Sequence, residues 1–369
     1  MNIKSLQLKN YRNYENLNLN FNKRFNVIYG NNAQGKTNII EAIFVCASGR
    51  SHRTSKDYDL LKIGSDFYYI NLELKVEDVE KNIEIIYDKN GKKRIKINEI
   101  PLKKIGELMG NLNAVMFSPE DILLIKEGPS ERRRFVDITI SQFKPSYFFD
   151  LQQYAKIILQ RNALLKNMHD NIDKNISLDI WNENLAKTGA RIIKARNEFI
   201  KKIDMLACRK HMTLTNYNEK LNIKYNPSIK SGDYEDVKAI EKDFLCIIEH
   251  NLKREIAAGT TLAGPQRDDI DFLINDKSLK IFGSQGQQRT AMLALKLSEV
   301  EIIKEYTASS PVLLLDDVMS ELDSKRRQYL FKNIGDVQTF ITTTEKSVFE
   351  NIFNDEVSYF YVEQGVVFS

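Results

Sequence analysis

Gly30-Asn31-Asn32-Ala33-Gln34-Gly35-Lys36-Thr37 fits G-x-x-x-x-G-K-[ST]. The strand-like FNVIY (25–29) precedes it and the helix-like NIIEAIFVCAS (38–48) follows. Glycine at both ends lets the backbone wrap closely enough for its N–H groups to face phosphate oxygens, at a helix N-terminus whose dipole favours anions. The reading places Lys36 on the β and γ phosphates of ATP and the Thr37 hydroxyl on Mg²⁺. A chance glycine-rich turn is the plain alternative, and the strand and helix flanks argue against it.

A second fragment of the same site lies far downstream. Pro311-Val312-Leu313-Leu314-Leu315-Asp316-Asp317 is an apolar run ending in two carboxylates, the pattern of a buried strand delivering acids to its carboxyl end. Asp316 is expected to hold Mg²⁺, and Asp317 to orient or deprotonate an attacking water. Between the fragments stands Ser284-Gln285-Gly286-Gln287, opening a helical stretch. Alone it could be only an N-cap. Ser320-Glu321-Leu322-Asp323 follows the acidic pair.

The order of P-loop, long helical insertion, S-x-G-Q, apolar-DD and S-E-L-D resembles the ATP-binding-cassette superfamily. The resemblance makes Ser284, Gly286 and Gln287 a signature acting on a partner's ATP, and puts Ser320 and Asp323 in a D-loop. It implies a head-to-tail homodimer closed by ATP, with two composite sites related by symmetry.

Around these motifs the chain changes period. SLQLKNY (5–11), FYYINLELKVE (67–77) and KNIEIIYDKNGKKRIKINE (81–99) alternate apolar and polar residues, and Asn90-Gly91 signals a hairpin whose positive φ values both residues would supply. The middle third shows helical spacing, with Leu151, Tyr154, Ile158 and Leu165 on one face and Trp181, Leu185, Thr188, Ile192, Phe199 and Ile203 on another. Strand patterns return in DIDFLIN (269–275), SLKIF (278–282), PVLLLDD and TFITTT (339–344). The expected fold is α/β, an ATPase head with a mixed β-sheet, plus a helical lobe and no long coiled coil. Residues 1–117 and 255–369 form the ATPase lobe in this reading and 118–254 the helical lobe, with 284–306 assignable to either.

Bulk composition excludes several classes. The 369 residues are 42% hydrophobic, and 54 Lys and Arg against 50 Asp and Glu leave a net charge of +4. That is globular and mildly basic, compatible with nucleic acid. No apolar run reaches membrane-spanning length, so no membrane association and a cytoplasmic location are expected. Cys46, Cys208 and Cys246 are scattered, which argues against a disulfide framework and a zinc site.

More specific strings narrow the family. Leu6 to Tyr14 (LQLKNYRNY), Gly35 to Ala42 (GKTNIIEA), Gly49 to Thr54 (GRSHRT), Phe117 to Asp121 (FSPED), Gly128 to Phe135 (GPSERRRF), Gln287 to Thr290 (QQRT) and Asp316 to Asp323 (DDVMSELD) together resemble the RecF family of bacterial DNA-repair ATPases. The resemblance implies an ATP-dependent DNA-binding replication and repair protein that hydrolyses ATP slowly. It also implies binding to gapped or junction DNA, and work with RecR and RecO to load RecA. One departure is Gln266 in Gly264-Pro265-Gln266-Arg267-Asp268-Asp269, where the family pattern has histidine; glutamine cannot titrate near neutrality.

Candidate DNA-phosphate contacts are Arg50, His52 and Arg53, then Lys92, Lys93 and Arg94 at the hairpin, and Arg132, Arg133 and Arg134. A solvated surface is the competing reading for each, and an intramolecular role for Arg132 to Arg134. No base-reading module is visible, so backbone and junction shape are the expected targets. Two other functions fit parts of the pattern: the ATPase subunit of a membrane transporter, and an ATP-gated DNA clamp with incidental hydrolysis.

Overall fold

The computed structural model describes residues 1–169, 178–346, 349 and 356–368. Along the chain, strands β1 (Asn2–Tyr11), β2 (Tyr14–Asn20) and β3 (Phe25–Tyr29) precede helix α1 (Lys36–Ser48). Then come β4 (Phe67–Val76), β5 (Val79–Asp88), β6 (Lys93–Ile97), β7 (Ile100–Pro101) and β8 (Ala114–Phe117). The middle holds α2 (Leu123–Lys126), α3 (Pro129–Phe143), α4 (Pro145–His169), α5 (Asp179–Leu214), β9 (Leu221–Asn226), α6 (Val237–Ala258), β10 (Asp269–Ile274), β11 (Lys277–Ser278) and α7 (Leu279–Phe282). Last are α8 (Gln285–Thr307), β12 (Val312–Asp316), α9 (Ser324–Asn333), β13 (Thr339–Thr343), β14 (Val357–Glu363) and β15 (Val366–Phe368).

Two compact units result, Met1–Ile122 with Arg289–Ser369, and Leu123–Gln288. Residues 255–283, which strand periodicity assigns to the ATPase lobe, group with the helices, as do 284–288, which it leaves open, while 118–122 group with the first unit. The reason is pairing: β10 bonds to β9 and β11 in a separate three-stranded sheet.

The first unit contains two six-stranded sheets. One is antiparallel, in the order β2-β1-β4-β5-β6-β7. The other runs β15-β14-β3-β13-β12-β8, parallel throughout except at the β14/β15 edge. It is built from both chain ends, as the motif order predicts. FNVIY, VLLLD and TFITT are continuous buried runs because parallel strands are covered on both faces. Helix α1 is apolar nearly all round and packs against strands of both sheets, so it has no solvated face.

The second unit is helical, with α5 as its long spine. Leu185, Thr188, Ile192, Phe199 and Ile203 are buried on it as the spacing predicts, while Trp181, expected on the same face, is only half-buried. On α4 the buried stripe is Tyr154, Ile157, Arg161 and Leu165, with Leu151 and Ile158 only half-buried. Arg161 is fully buried against Glu255 (2.6 Å). Gln266 accepts from the Tyr154 hydroxyl (2.7 Å) and donates to the Ala263 carbonyl (2.9 Å), so an uncharged amide fills that place in the packing.

Local predictions fail at two turns. SLKIF is not a strand: β11 ends at Ser278 and Leu279–Phe282 form one helical turn, with Leu279 buried while Ile281 and Phe282 are exposed. At the 88–92 hairpin only Gly91 has positive φ (86°), and the Asp88 carbonyl accepts from the Gly91 N–H (2.9 Å). That is a type I turn closed by a left-handed glycine, a longer loop than the two-residue Asn-Gly turn. Among the described residues no helix is long and apolar enough to cross a membrane.

Candidate nucleotide site and its surroundings

The P-loop leaves β3 at its carboxyl end and enters α1. Gly30 has φ 147°, and a Cβ there would lie 2.3 Å from the Val362 carbonyl oxygen on β14. Gly35 has φ 113°, and a Cβ would lie 2.4 Å from Asn13 Nδ2. Both glycines are therefore required by close approach as well as by backbone conformation. Asn31, Asn32, Ala33 and Gln34 complete the turn, Ala33 also at positive φ (62°).

Lys36 is buried and donates from Nζ to the carbonyls of Gly30 and Asn31, each at 2.8 Å. Burial pushes its pKa down, opposed by the nearby charges of Asp317 and Asp316. The ammonium thus lies at the loop mouth between backbone oxygens and the acidic pair.

Parallel register brings the remaining groups together. Asp316 pairs with Thr342 across β12 and β13, and Thr342 with Ile28 of β3. Asp316 Oδ1 accepts from Thr37 Oγ1 (2.8 Å) and from Thr342 Oγ1 (2.6 Å). Thr342 Oγ1 also accepts from the Asp317 N–H (2.9 Å), and Asp317 adopts a left-handed conformation (φ 52°). Three oxygen-bearing side chains from three elements converge there, the chemistry a hard divalent cation requires. Thr37, Asp316 and Asp317, far apart in sequence, belong to one site. Thr342 is a member that motif reading misses; its signal is its place on the strand beside the apolar-DD strand.

LQLKNYRNY proves to be the brace of the P-loop. Arg12 donates from Nε and a terminal nitrogen to the two oxygens of Glu41 on α1 (2.8 and 2.6 Å). Ser51 adds a third donor to Glu41 (2.6 Å). Asn13 Nδ2 donates to the Gln34 carbonyl (2.9 Å), Asn38 Nδ2 to Asn13 Oδ1 (2.8 Å), and the Tyr14 hydroxyl to the Gly35 carbonyl (3.1 Å). Burial alone would raise the Glu41 pKa, but hydrogen bonds from Arg12 and Ser51, with the charges of Arg12 and Arg53, hold it below the ordinary value.

Ser284 is exposed and caps α8: the Gln287 N–H donates to Ser284 Oγ (3.2 Å) and the Ser284 N–H to Gln287 Oε1 (2.8 Å). Ser284 is therefore the N-cap of α8, as the plainer reading of S-x-G-Q has it. Gly286 sits in the first turn. The division between units falls within α8, so Ser284 to Gln288 belong to the helical unit and Arg289 onward to the first.

In the D-loop, Ser320 Oγ donates to the Asp317 carbonyl (2.8 Å), and Asp323 caps α9 by accepting from the Arg326 N–H (2.8 Å). That backbone bond, together with the Arg326 and Lys325 charges, lowers the Asp323 pKa against a slight desolvation. Arg326 also bonds Thr290 of α8 (2.7 Å).

The basic candidates separate into two groups. Arg50, Arg53, Lys92, Arg94 and Arg134 are exposed and His52 is half-buried. Lys93 is not: it donates to the Gly49 carbonyl (2.7 Å) and Asp57 (2.6 Å), stapling the hairpin to the loop after α1. Arg132 is buried in a two-bond pair with Asp269 (2.7 and 3.1 Å), and Arg133 donates to the Asp268 carbonyl (2.7 Å). Arg53 reaches Asn38 (3.1 Å) and lies 4.0 Å from Glu41. Lys93 and Arg132 have internal partners instead, and each would have to give up a carboxylate to contact phosphate.

Residues 2–367 match the family described as RecF/RecN/SMC N terminal domain. A protein of Ruminiclostridium cellulolyticum named "DNA replication and repair protein RecF" is 52% identical over 368 residues, covering 100% of this chain and 99% of that one. One of the same name from Acetivibrio thermocellus is 53% identical, covering 99% of each. A solved structure of "the recombination mediator protein RecF-ATP in RecFOR pathway" superposes with a TM-score of 0.93 at 41% identity, covering 100% of this chain and 97% of that one. An Smc head bound to the C-winged helix domain of ScpA has a TM-score of 0.55 at 15% identity, a likeness of fold alone.

Proposed function

The chain belongs to the RecF family, and from that premise we propose that it is an ATP-gated DNA-binding repair and replication protein that dimerises on ATP. The observation that carries the reading is the convergence of Lys36, Thr37, Asp316, Asp317 and Thr342 on one P-loop, with Ser284 exposed at a helix start elsewhere in the chain. The family removes the transporter-subunit reading.

In the proposal, the N–H groups of residues 30–37 cradle the ATP phosphates, and Lys36 exchanges its two carbonyl partners for β and γ phosphate oxygens. Thr37 and Asp316 would hold Mg²⁺, which neutralises phosphate charge during in-line transfer. Asp317 orients the attacking water; its side chain is one methylene shorter than glutamate, which suits slow turnover. Ser284 of a second copy donates to the γ phosphate, so closure of the homodimer depends on ATP. Arg50, Lys92 and Arg94 form the part of the DNA surface that Lys93 and Asp57 stiffen from below. Gapped or junction DNA is the proposed substrate, with RecR as direct partner and RecO and RecA downstream.

The test is the solution mass with and without Mg-ATP for wild type, Lys36→Met and Ser284→Arg, with binding to gapped duplex. Doubling of the wild-type mass by ATP, lost in both variants, and ATP-dependent retention of gapped DNA are expected. A mass indifferent to ATP sinks the shared-site mechanism. A clamp with incidental hydrolysis is favoured instead if Asp317→Asn doubles in mass, holds DNA and still supports repair.

A further inference from the structure

The reciprocal box at the start of α8 leaves one question of mechanics: what keeps the Gln287 amide from turning over. A half-turn about its last torsion would replace Oε1 by Nε2 and set a donor against the Ser284 N–H. Gln287 Nε2 answers it by donating to Glu219 Oε1 at 2.8 Å. A carboxylate accepts only, so it admits one orientation of the amide and makes the stronger, charge-assisted bond. Glu219 lies in the loop joining α5 to β9, all within the helical unit. Its own carbonyl is approached by His211 Nδ1 and by the Thr215 hydroxyl at the end of α5, both at 3.4 Å. Its carboxylate is 3.8 Å from His211 Nε2.

We infer that Glu219 is a positioning residue for the S-x-G-Q segment: it locks the Gln287 amide, and through it holds Ser284 Oγ as acceptor for its own helix, leaving the hydroxyl proton for an incoming phosphate. The inference rests on the reading that Ser284 completes the ATP site of a second copy. It deepens that reading by assigning the pre-organisation of the signature to α5 and its following loop, before any partner arrives.

The experiment is an ATP titration of the solution mass for wild type, Glu219→Ala and Glu219→Gln, and for an equimolar mixture of Glu219→Ala with Lys36→Met. Loss of one hydrogen bond to a charged group should raise the ATP concentration at half-doubling roughly tenfold in Glu219→Ala. Glu219→Gln, whose uncharged amide can present Nε2 as well as Oε1, no longer admits a single orientation and should fall between wild type and Glu219→Ala. The mixture separates positioning from damage to the fold. Each mixed pair joins the intact P-loop of one copy to the intact Ser284 segment of the other, so pairs should form at ATP concentrations where neither variant doubles alone. Doubling of Glu219→Ala at the wild-type ATP concentration overturns the inference, as does a mixture no better than its components. If wild type itself fails to double, the reading of Ser284 falls and the inference with it.

Discussion

Glu41 is a fully buried carboxylate whose charge is held by Arg12 and Ser51, and its pKa sets the acid limit of the P-loop brace. A carboxyl group with a pKa lower in the folded than in the unfolded chain contributes stability that is complete above the unfolded value and disappears as pH falls through the folded one. With an ordinary value of 4.5, that contribution should be intact at neutrality and lost only below about that pH. Melting temperature against pH should therefore fall less steeply below pH 4.5 in Glu41→Gln than in wild type. Arg12→Ala removes the two-bond partner of the buried Glu41 charge and leaves it only Ser51 and the more distant Arg53, and should cost about 3 kcal/mol by thermal or denaturant unfolding, at neutral pH where the carboxylate is ionised. An Arg12→Ala melt that matches wild type at pH 7 would show that the pair holds nothing.

Among elements, the 88–92 turn and the start of β6 divide three consecutive cations between solvent and an internal pairing. Lys92 and Arg94 are exposed, whereas Lys93 between them is tied to Gly49 and Asp57. Lys92→Glu with Arg94→Glu should weaken DNA binding and lower the salt slope of log K by about 0.9 for each phosphate contact removed, with an unchanged melting temperature. Lys93→Ala should lower the melting temperature first. Equal loss of DNA affinity in both, at equal stability, would contradict the division. Alternation in strands puts neighbouring side chains on opposite faces, and this is why a run of basic residues read as one patch splits in three dimensions. The same contrast explains what is legible in the chain. β12 can be read because a buried parallel strand leaves an apolar run, VLLL, β3 and β13 because β-branched and aromatic residues dominate FNVIY and TFITT, and the P-loop because its glycines have no substitute. Thr342, Glu219 and the Arg12 to Glu41 pair cannot, because each depends on a register or a loop path that joins distant segments. SLKIF misleads for a related reason, since the two-residue strand β11 ends before the apolar pattern does.

For the whole molecule, the signature helix begins in one compact unit and continues in the other, while the nucleotide site lies wholly in the first. That site is made of segments from opposite ends of the chain: Thr37 meets Asp316 across 279 residues, and the Gln364 N–H reaches Gln34 Oε1 (2.5 Å) across 330. Strand β3 lies between β13 and β14 and has no earlier neighbour in its sheet. On the ribosome, at roughly 5–20 residues per second, the P-loop strand must then wait on the order of 15 s to a minute for its partners. Translation order thus acts as a timer: the proposed ATP site, and with it the proposed capture of a sister chain, must wait until β12 to β14 have been made. Stalled chains carrying residues 1–310 should fail to retain an ATP analogue, and chains released after β15 should retain it; retention by the shorter chains would show that β3 and α1 form the phosphate cradle without β12 to β14.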